Sequence, residues 1–513
     1  MNRMKSSCAA LLAALVVAAC GGGDTGPAGS QNNNPGRGEL MQNPPVRVTA
    51  MTAADYTAKL AASASGQGLL ALSTGSPTGT LPCGVDVHYV KYGTLGGKDE
   101  ATTASAVLMV PTGTSAACTT QRPIVLYAHG TSLEKRYNLA DFADSTNPAY
   151  SEAQVLASIY AAQGYIVVAP NYAGYDSSAL SYHPYLVASQ QSKDMVDALV
   201  AAKTALPGLM SGTTTSGKVY LAGYSQGGHV ALATHQAMAT DAATMATLST
   251  AGLTVKASAP MSGPYALKTF GDQIVGGAVN AGSTVLLPMV FTGYQKTYGT
   301  LYSATSDLYE SAYATGIESY FPGALSQSSL ISTGIVPAMA LFDTNSAPAA
   351  PAGPLHALWA AGYGTPNLLK DSYRTAYLTD YAVNNATPAH PLRAKLKAND
   401  LTSMATPVGL TMLCGGGNDP TVYYATNTGA MTTVWSAFMA ASPAALGLAT
   451  PVLEVNMDLN GGGTTAAGDP FGALKTAFSA ANLTSSPTYA STYHVNLVPY
   501  CVRASRGFFD LVP

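Results

Sequence analysis

The chain is poor in charge: only 10% of its 513 residues are Asp, Glu, Lys or Arg, against about a quarter in an ordinary soluble protein. Net charge is −3 and no basic block occurs, so the chain lacks the electrostatic footprint of a nucleic-acid partner, and none is expected. Beyond the N-terminus there is no long charge-free apolar run, which excludes an obvious spanning helix. Cysteine is scarce, at six residues, and there is no Cys-x-x-Cys pair or clustered His spacing. A zinc site is therefore unsupported, and neither a metal nor a cofactor is expected. Ala, Thr, Ser, Gly and Tyr take the surface positions that charge leaves open.

What the N-terminus does contain is a targeting segment, expected over 1–19. Arg3 and Lys5 form a basic start, 9–17 an apolar core, and Val17-Ala18-Ala19-Cys20 a small-residue cleavage site. This end resembles the lipobox of bacterial lipoproteins, which implies that Cys20 is acylated and becomes the new N-terminus. The alternative is an ordinary secretory signal in which Cys20 is only a small residue. The stretch 20–50 is Gly/Asn/Pro-rich over most of its length and reads as a flexible tether. Position 21 is Gly and not Asp, so the usual inner-membrane retention signal is missing. The expected destination is the cell envelope, outer membrane rather than inner, or secretion.

Cys83, Cys118, Cys414 and Cys501 remain for an oxidising compartment, enough for two disulfides in any of three connectivities. Local pairing favours Cys83–Cys118, which leaves Cys414–Cys501.

Along the chain, strands and helices alternate. Segments 86–92 and 104–111 read as an early antiparallel pair; 122–127, 165–170, 218–222 and 254–260 read as further strands. Helices are expected over 151–163, 190–205 and 228–239. The alternation predicts a mostly parallel sheet flanked by helices, with core segments at 51–270 and 401–513. Between them, 271–400 shows Tyr-rich helical stretches and no strong strand. It reads as a helical lid or cap insertion, or else as a second domain without a role at the site. Strand character returns at 407–413 and 451–458.

Lys218–His229 reads KVYLAGYSQGGH and holds one Gly-x-Ser-x-Gly, centred on Ser225. A buried strand before it and an Ala-rich helix after it make it a nucleophile elbow, a strained turn that exposes the serine Oγ. A serine hydroxyl needs a base to take its proton and an acid to orient that base. In this arrangement the chain order is Ser, acid, His. Of eight histidines only His494 follows the expected acid; it is placed in a loop near the C-terminus. Asp419, in a Gly-rich turn after strand 407–413, is the acid candidate; Asn418, Asp458 and Asp469 compete. The 458–463 stretch invites a calcium reading, but the other ligand positions of an EF-hand are not filled. The oxyanion donors expected are the backbone N–H groups of Gln226 and Thr131, with Gly130 allowing close approach. His129 is expected to pack beneath that loop.

With these residues in place the chain resembles α/β-hydrolase fold serine esterases, in particular the secretory lipase-like bacterial group. The likeness rests on YAHGT (127–131), APNYAGY (169–175), HPYL (183–186), GYSQGG (223–228), HPLRAKLKANDL (390–401), CGGGNDPTV (414–422) and YHVNLVPYC (493–501). It implies carboxylic-ester hydrolysis through Ser225, Asp419 and His494, with a helical cap over the site. Asn171 stands where relatives often carry Asp, and Val495 follows His494 where Gly is frequent. The expected protein is a monomeric, lipid-anchored esterase or lipase acting on a small-molecule or lipid ester. A prolyl-oligopeptidase-type peptidase and a non-catalytic surface lipoprotein are the alternatives.

Overall fold

The computed structural model describes residues 35–210, 214–347, 356–439 and 451–512. The expected signal, Cys20 and the first part of the expected tether lie outside the described residues. Strands β1 (Val46–Met51), β2 (Gly84–Leu95) and β3 (Ala101–Thr112) pair antiparallel, β2 and β3 in register along their whole length. Strand β3 then pairs antiparallel with β5 (Ile166–Pro170). From β5 the sheet runs parallel through β4 (Arg122–Ala128), β6 (Thr215–Tyr224), β7 (Thr254–Met261), β8 (Leu410–Gly415) and β9 (Val452–Asn456). The nine strands form one sheet in the order β1-β2-β3-β5-β4-β6-β7-β8-β9.

Parallel neighbours need crossovers, and helices Tyr150–Ile159, Ala188–Leu209 and Gln226–Thr240 supply three of them. They cover the sheet, so β5 is buried throughout and β4 is buried from Ile124 to Ala128. The carboxyl ends of β4, β6 and β8 all deliver loops to one edge of the sheet, where open α/β sheets bind their ligands.

Residues 36–50, expected to be tether, belong to the fold. Gly38 N–H donates to Gly93 O at 2.9 Å, Arg37 pairs with the buried Asp197 at 3.1 Å, and Val46–Met51 is the edge strand. Two helices that the sequence reading did not place follow, Ala53–Ala61 and Ala64–Thr74. Their caps are orthodox: Thr52 accepts from Asp55 N–H and Ser63 from Gly66 N–H.

The insertion starts a turn earlier than expected, with helix Leu267–Gly276. It continues through Ser283–Tyr298, Asp371–Val383 and Pro391–Ala398, and no strand is assigned between β7 and β8 among the described residues. It has an apolar core of its own, which includes Phe270, Phe291, Tyr294, Tyr377 and Leu392. Arg393 lies fully buried in it, its Nη1 at 2.6 Å from Asp380 and its Nε at 2.8 Å from Asp272. One guanidinium thus joins three helices, a role for the 390–401 segment that its sequence did not reveal. Among the described residues no helix is long and apolar enough to cross a membrane.

Both disulfides take the expected pairing, with Cα separations of 5.7 Å for Cys83–Cys118 and 5.8 Å for Cys414–Cys501. Cys501 and His494 do not lie in a loop. They share the long C-terminal helix Tyr489–Asp510, so the second disulfide bolts that helix to strand β8.

Candidate active site

Ser225 is the hinge between β6 and helix Gln226–Thr240, at φ 58° and ψ −121°. A side-chain-bearing residue is strained there, and only a tightly determined turn keeps it so. Small neighbours make the turn possible. A Cβ on Gly223 would meet Gly227 O at 2.1 Å, and one on Gly227 would meet Ala128 O at 1.9 Å.

His494 Nε2 lies 2.9 Å from Ser225 Oγ, and its Nδ1 lies 2.6 Å from Asp419 Oδ2. The carboxylate accepts a hydrogen bond from Nδ1–H, which leaves Nε2 to accept one from the Ser225 hydroxyl. Asp419 Oδ1 accepts the N–H groups of Thr421 and Val422 at 2.9 and 3.1 Å, so the turn itself aims the carboxylate. The Asp419 side chain is 1% exposed and that of His494 15%, which keeps water from competing for their hydrogen bond. Tyr224, one residue before the serine, donates its hydroxyl to His494 O at 2.6 Å and so ties the elbow to the C-terminal helix.

Loop 129–131 lies against the elbow: a Cβ on Gly130 would come within 3.9 Å of Ser225 Cβ. Among the described residues neither Thr131 N–H nor Gln226 N–H donates to a protein acceptor. Ser225, Gln226, Thr131 and His494 all line a cavity of about 1720 Å³. The cap supplies much of its apolar wall, with Phe270, Ile274, Val285, Val290, Leu392 and Leu396.

No protein-family model matches the chain, and no curated protein does. Among solved structures it is similar to the rice cell wall degrading esterase LipA from Xanthomonas oryzae. The identity is 25%, the likeness covers 92% of this chain and 98% of that one, and the TM-score is 0.66. A Legionella pneumophila protein that carries the name of a hydrolase covers 92% of this chain and 98% of its own at a TM-score of 0.61. Its 18% identity speaks for the fold alone.

The chain is an α/β-hydrolase. Its class is that of the carboxylic-ester hydrolases.

The other polar candidates of this α/β-hydrolase have structural partners. Asp458 accepts from Tyr493 Oη at 2.5 Å and Asn418 Nδ2 at 3.0 Å, and supports the acid turn from behind. Asp469 pairs with Lys475 at 2.8 Å. His229 is buried on the elbow helix with Nε2 at 2.8 Å from Asn399 O. His129 packs under its loop as expected, stacked between Tyr137 and Tyr172 with centroids 4.2 and 4.1 Å away. Burial lowers its pKa. Among the described residues no group of three or more His, Cys, Asp or Glu is placed to hold a metal ion.

Sequence reasoning missed Glu152. Its Oε1 accepts the Tyr127 hydroxyl at 2.8 Å and Gly130 N–H at 3.3 Å, and its Oε2 accepts the Tyr137 hydroxyl at 2.7 Å. It holds the loop beside Ser225, and nothing local in 150–159 signals that. His183 and Tyr185 were visible only as parts of the HPYL motif, without a task.

Proposed function

We propose that this α/β-hydrolase cleaves carboxylic esters through an acyl-enzyme formed on Ser225, with His494 as base and Asp419 as its orienting acid. The observation that carries the reading is the unbroken chain of hydrogen bonds from Ser225 through His494 to Asp419, at 2.9 and 2.6 Å, set on a strained elbow. In the first half-reaction Ser225 Oγ attacks the ester carbonyl carbon as His494 Nε2 takes its proton. The developing oxyanion is held by the backbone N–H groups of Gln226 and Thr131. His494 then gives the proton to the leaving alkoxide, and the alcohol departs. Water repeats the sequence on the acyl-enzyme, releases the acid and restores the serine.

The apolar cap wall of the cavity favours an ester with a hydrocarbon acyl part, whether a small-molecule or a lipid ester. Two disulfides agree with an extracytoplasmic protein. Cys20 is the proposed lipid anchor; incorporation of an alkyne-tagged fatty acid that Cys20→Ala abolishes is the expected result, and equal labelling of both forms refutes it. For the catalytic reading the decisive test is a fluorophosphonate probe followed by peptide mapping, which should place the adduct on Ser225. An adduct on another serine ends the reading.

A further inference from the structure

The segment 183–186 touches the side chains of both residues assigned as oxyanion donors, and nothing in the hydrolytic sequence above gives it a part. His183 is buried, with Nδ1 at 2.9 Å from Ala173 O and Nε2 at 2.7 Å from Gln226 Nε2. A carbonyl only accepts, so the proton sits on Nδ1. Burial pushes the His183 pKa down to about 3, so the ring is neutral and Nε2 accepts from the Gln226 side chain. Gln226 is itself 1% exposed, and its backbone N–H is one of the two oxyanion donors. Two residues on, the Tyr185 hydroxyl lies 2.8 Å from Thr131 Oγ1, and Thr131 carries the second donor. Burial holds the Tyr185 hydroxyl up at about 12, so it stays protonated and able to donate.

The segment is itself held firmly. Leu186 has φ 55°. The cap helix Ser283–Tyr298 lies on it so closely that a Cβ on Gly293 would come within 2.9 Å of both His183 O and Tyr185 N. Tyr294 donates its hydroxyl to Leu186 O at 3.3 Å.

Granted the Ser225 reading, we propose that His183 and Tyr185 are positioning residues for the oxyanion: His183 fixes the Gln226 amide through that residue's side chain, and Tyr185 fixes the Thr131 amide through its hydroxyl. His183 stands outside the cavity lining and acts only through Gln226; Tyr185 lines the cavity beside Thr131 and acts through that residue's hydroxyl. Each holds a donor where charge develops, which counts in the transition state and hardly at all in the ground state.

The experiment compares wild type, His183→Ala, His183→Gln, Tyr185→Phe and Gln226→Met, with rates expressed per serine labelled by fluorophosphonate. On p-nitrophenyl acetate, His183→Ala and Tyr185→Phe should each lower kcat about tenfold or more and leave KM within about twofold. Affinity for a boronic acid, which mimics the tetrahedral intermediate, should fall in proportion to kcat/KM. His183→Gln, which can still present an acceptor to Gln226, should recover part of the loss. His183→Ala and Gln226→Met together should cost less than the sum of the two, since both break the bond between these side chains. Should His183→Ala not fold, Tyr185→Phe, which removes a single oxygen, carries the test.

A kcat per labelled site equal to wild type overturns the proposal. So does a loss explained by fewer labelled sites, or additive effects of the His183 and Gln226 changes. Wild-type protein that does not label at Ser225 removes the triad reading itself, an outcome distinct from labelled protein with unaltered variants.

Discussion

At the scale of single residues the three proposed catalytic groups carry unequal burdens. Ser225→Ala removes the atom that forms the bond, so ester hydrolysis should vanish while the melting temperature holds, because among the described residues Ser225 Oγ bonds only to His494. Retained turnover in that variant refutes the assignment. His494→Ala removes proton transfer and should be about as damaging. Asp419→Asn keeps the shape but can offer its amide to Nδ1 and favour the wrong tautomer, so a loss of about a hundredfold or more is expected, smaller than for His494. Full activity in Asp419→Asn would sink its role. These residues were legible because their constraints are local or ordinal: the elbow needs small residues at fixed offsets, and only one histidine follows the acid turn. Thr131 was reachable through its neighbour Gly130. Glu152 and His183 were not, because each acts on a partner at least 22 positions away in the chain, and a lone Glu or His in a sequence carries no mark of such a contact.

At the scale of elements, the parallel strands were legible to within a few residues because burial on both faces writes continuous apolar runs such as Ile166–Pro170. Edge strand Val46–Met51 was missed: its residues are mostly exposed and its partner β2 lies more than thirty positions on. The helix bearing His494 was taken for a loop because Tyr, Thr, Val and Asn dominate its start and Pro499 lies inside it. Only packing and the Cys414–Cys501 bridge reveal it. That bridge closes a loop across 87 positions, so replacing both cysteines by alanine should cost about 2–4 kcal/mol of stability in urea titrations. A midpoint equal to wild type would show that packing alone holds the helix. The cap makes a separate prediction. Since Leu392 and Leu396 reach the cavity from helix Pro391–Ala398, Leu396→Ala should shift chain-length preference across a p-nitrophenyl ester series more than it changes acetate hydrolysis. An unchanged profile in several folded cap variants would assign the acyl pocket to the core loops.

For the whole molecule, scarce surface charge leaves the buried titratable groups to set the response to acid. Burial pushes His183 down to about 3 and His229, His235 and His390 to about 4, and it lowers His88 and His129 as well. In the unfolded chain each titrates near 6.5. Between that value and the folded one the unfolded state binds protons that the native state refuses. The stability these groups contribute is therefore complete above pH 6.5 and drains away as pH falls toward 4. Two buried carboxylates act in the opposite sense. Burial raises Asp194 to about 7 and also raises Asp197, so the native state holds protons there that the unfolded chain releases. Six histidines against two carboxylates leave a net loss on acidification. Urea midpoints should accordingly fall from pH 7 to pH 5. His235 is the residue with which to prove the cause, since it bonds Ser258 Oγ at 2.8 Å and does not line the cavity that holds Ser225. His235→Asn removes one titrating group, so the fall should become shallower by up to about 1.4 kcal/mol per pH unit while the activity per labelled serine stays put. A midpoint that is flat or rises toward pH 5 would mean that the carboxylates outweigh the histidines, and an unaltered slope in His235→Asn would place the acid sensitivity elsewhere in the fold.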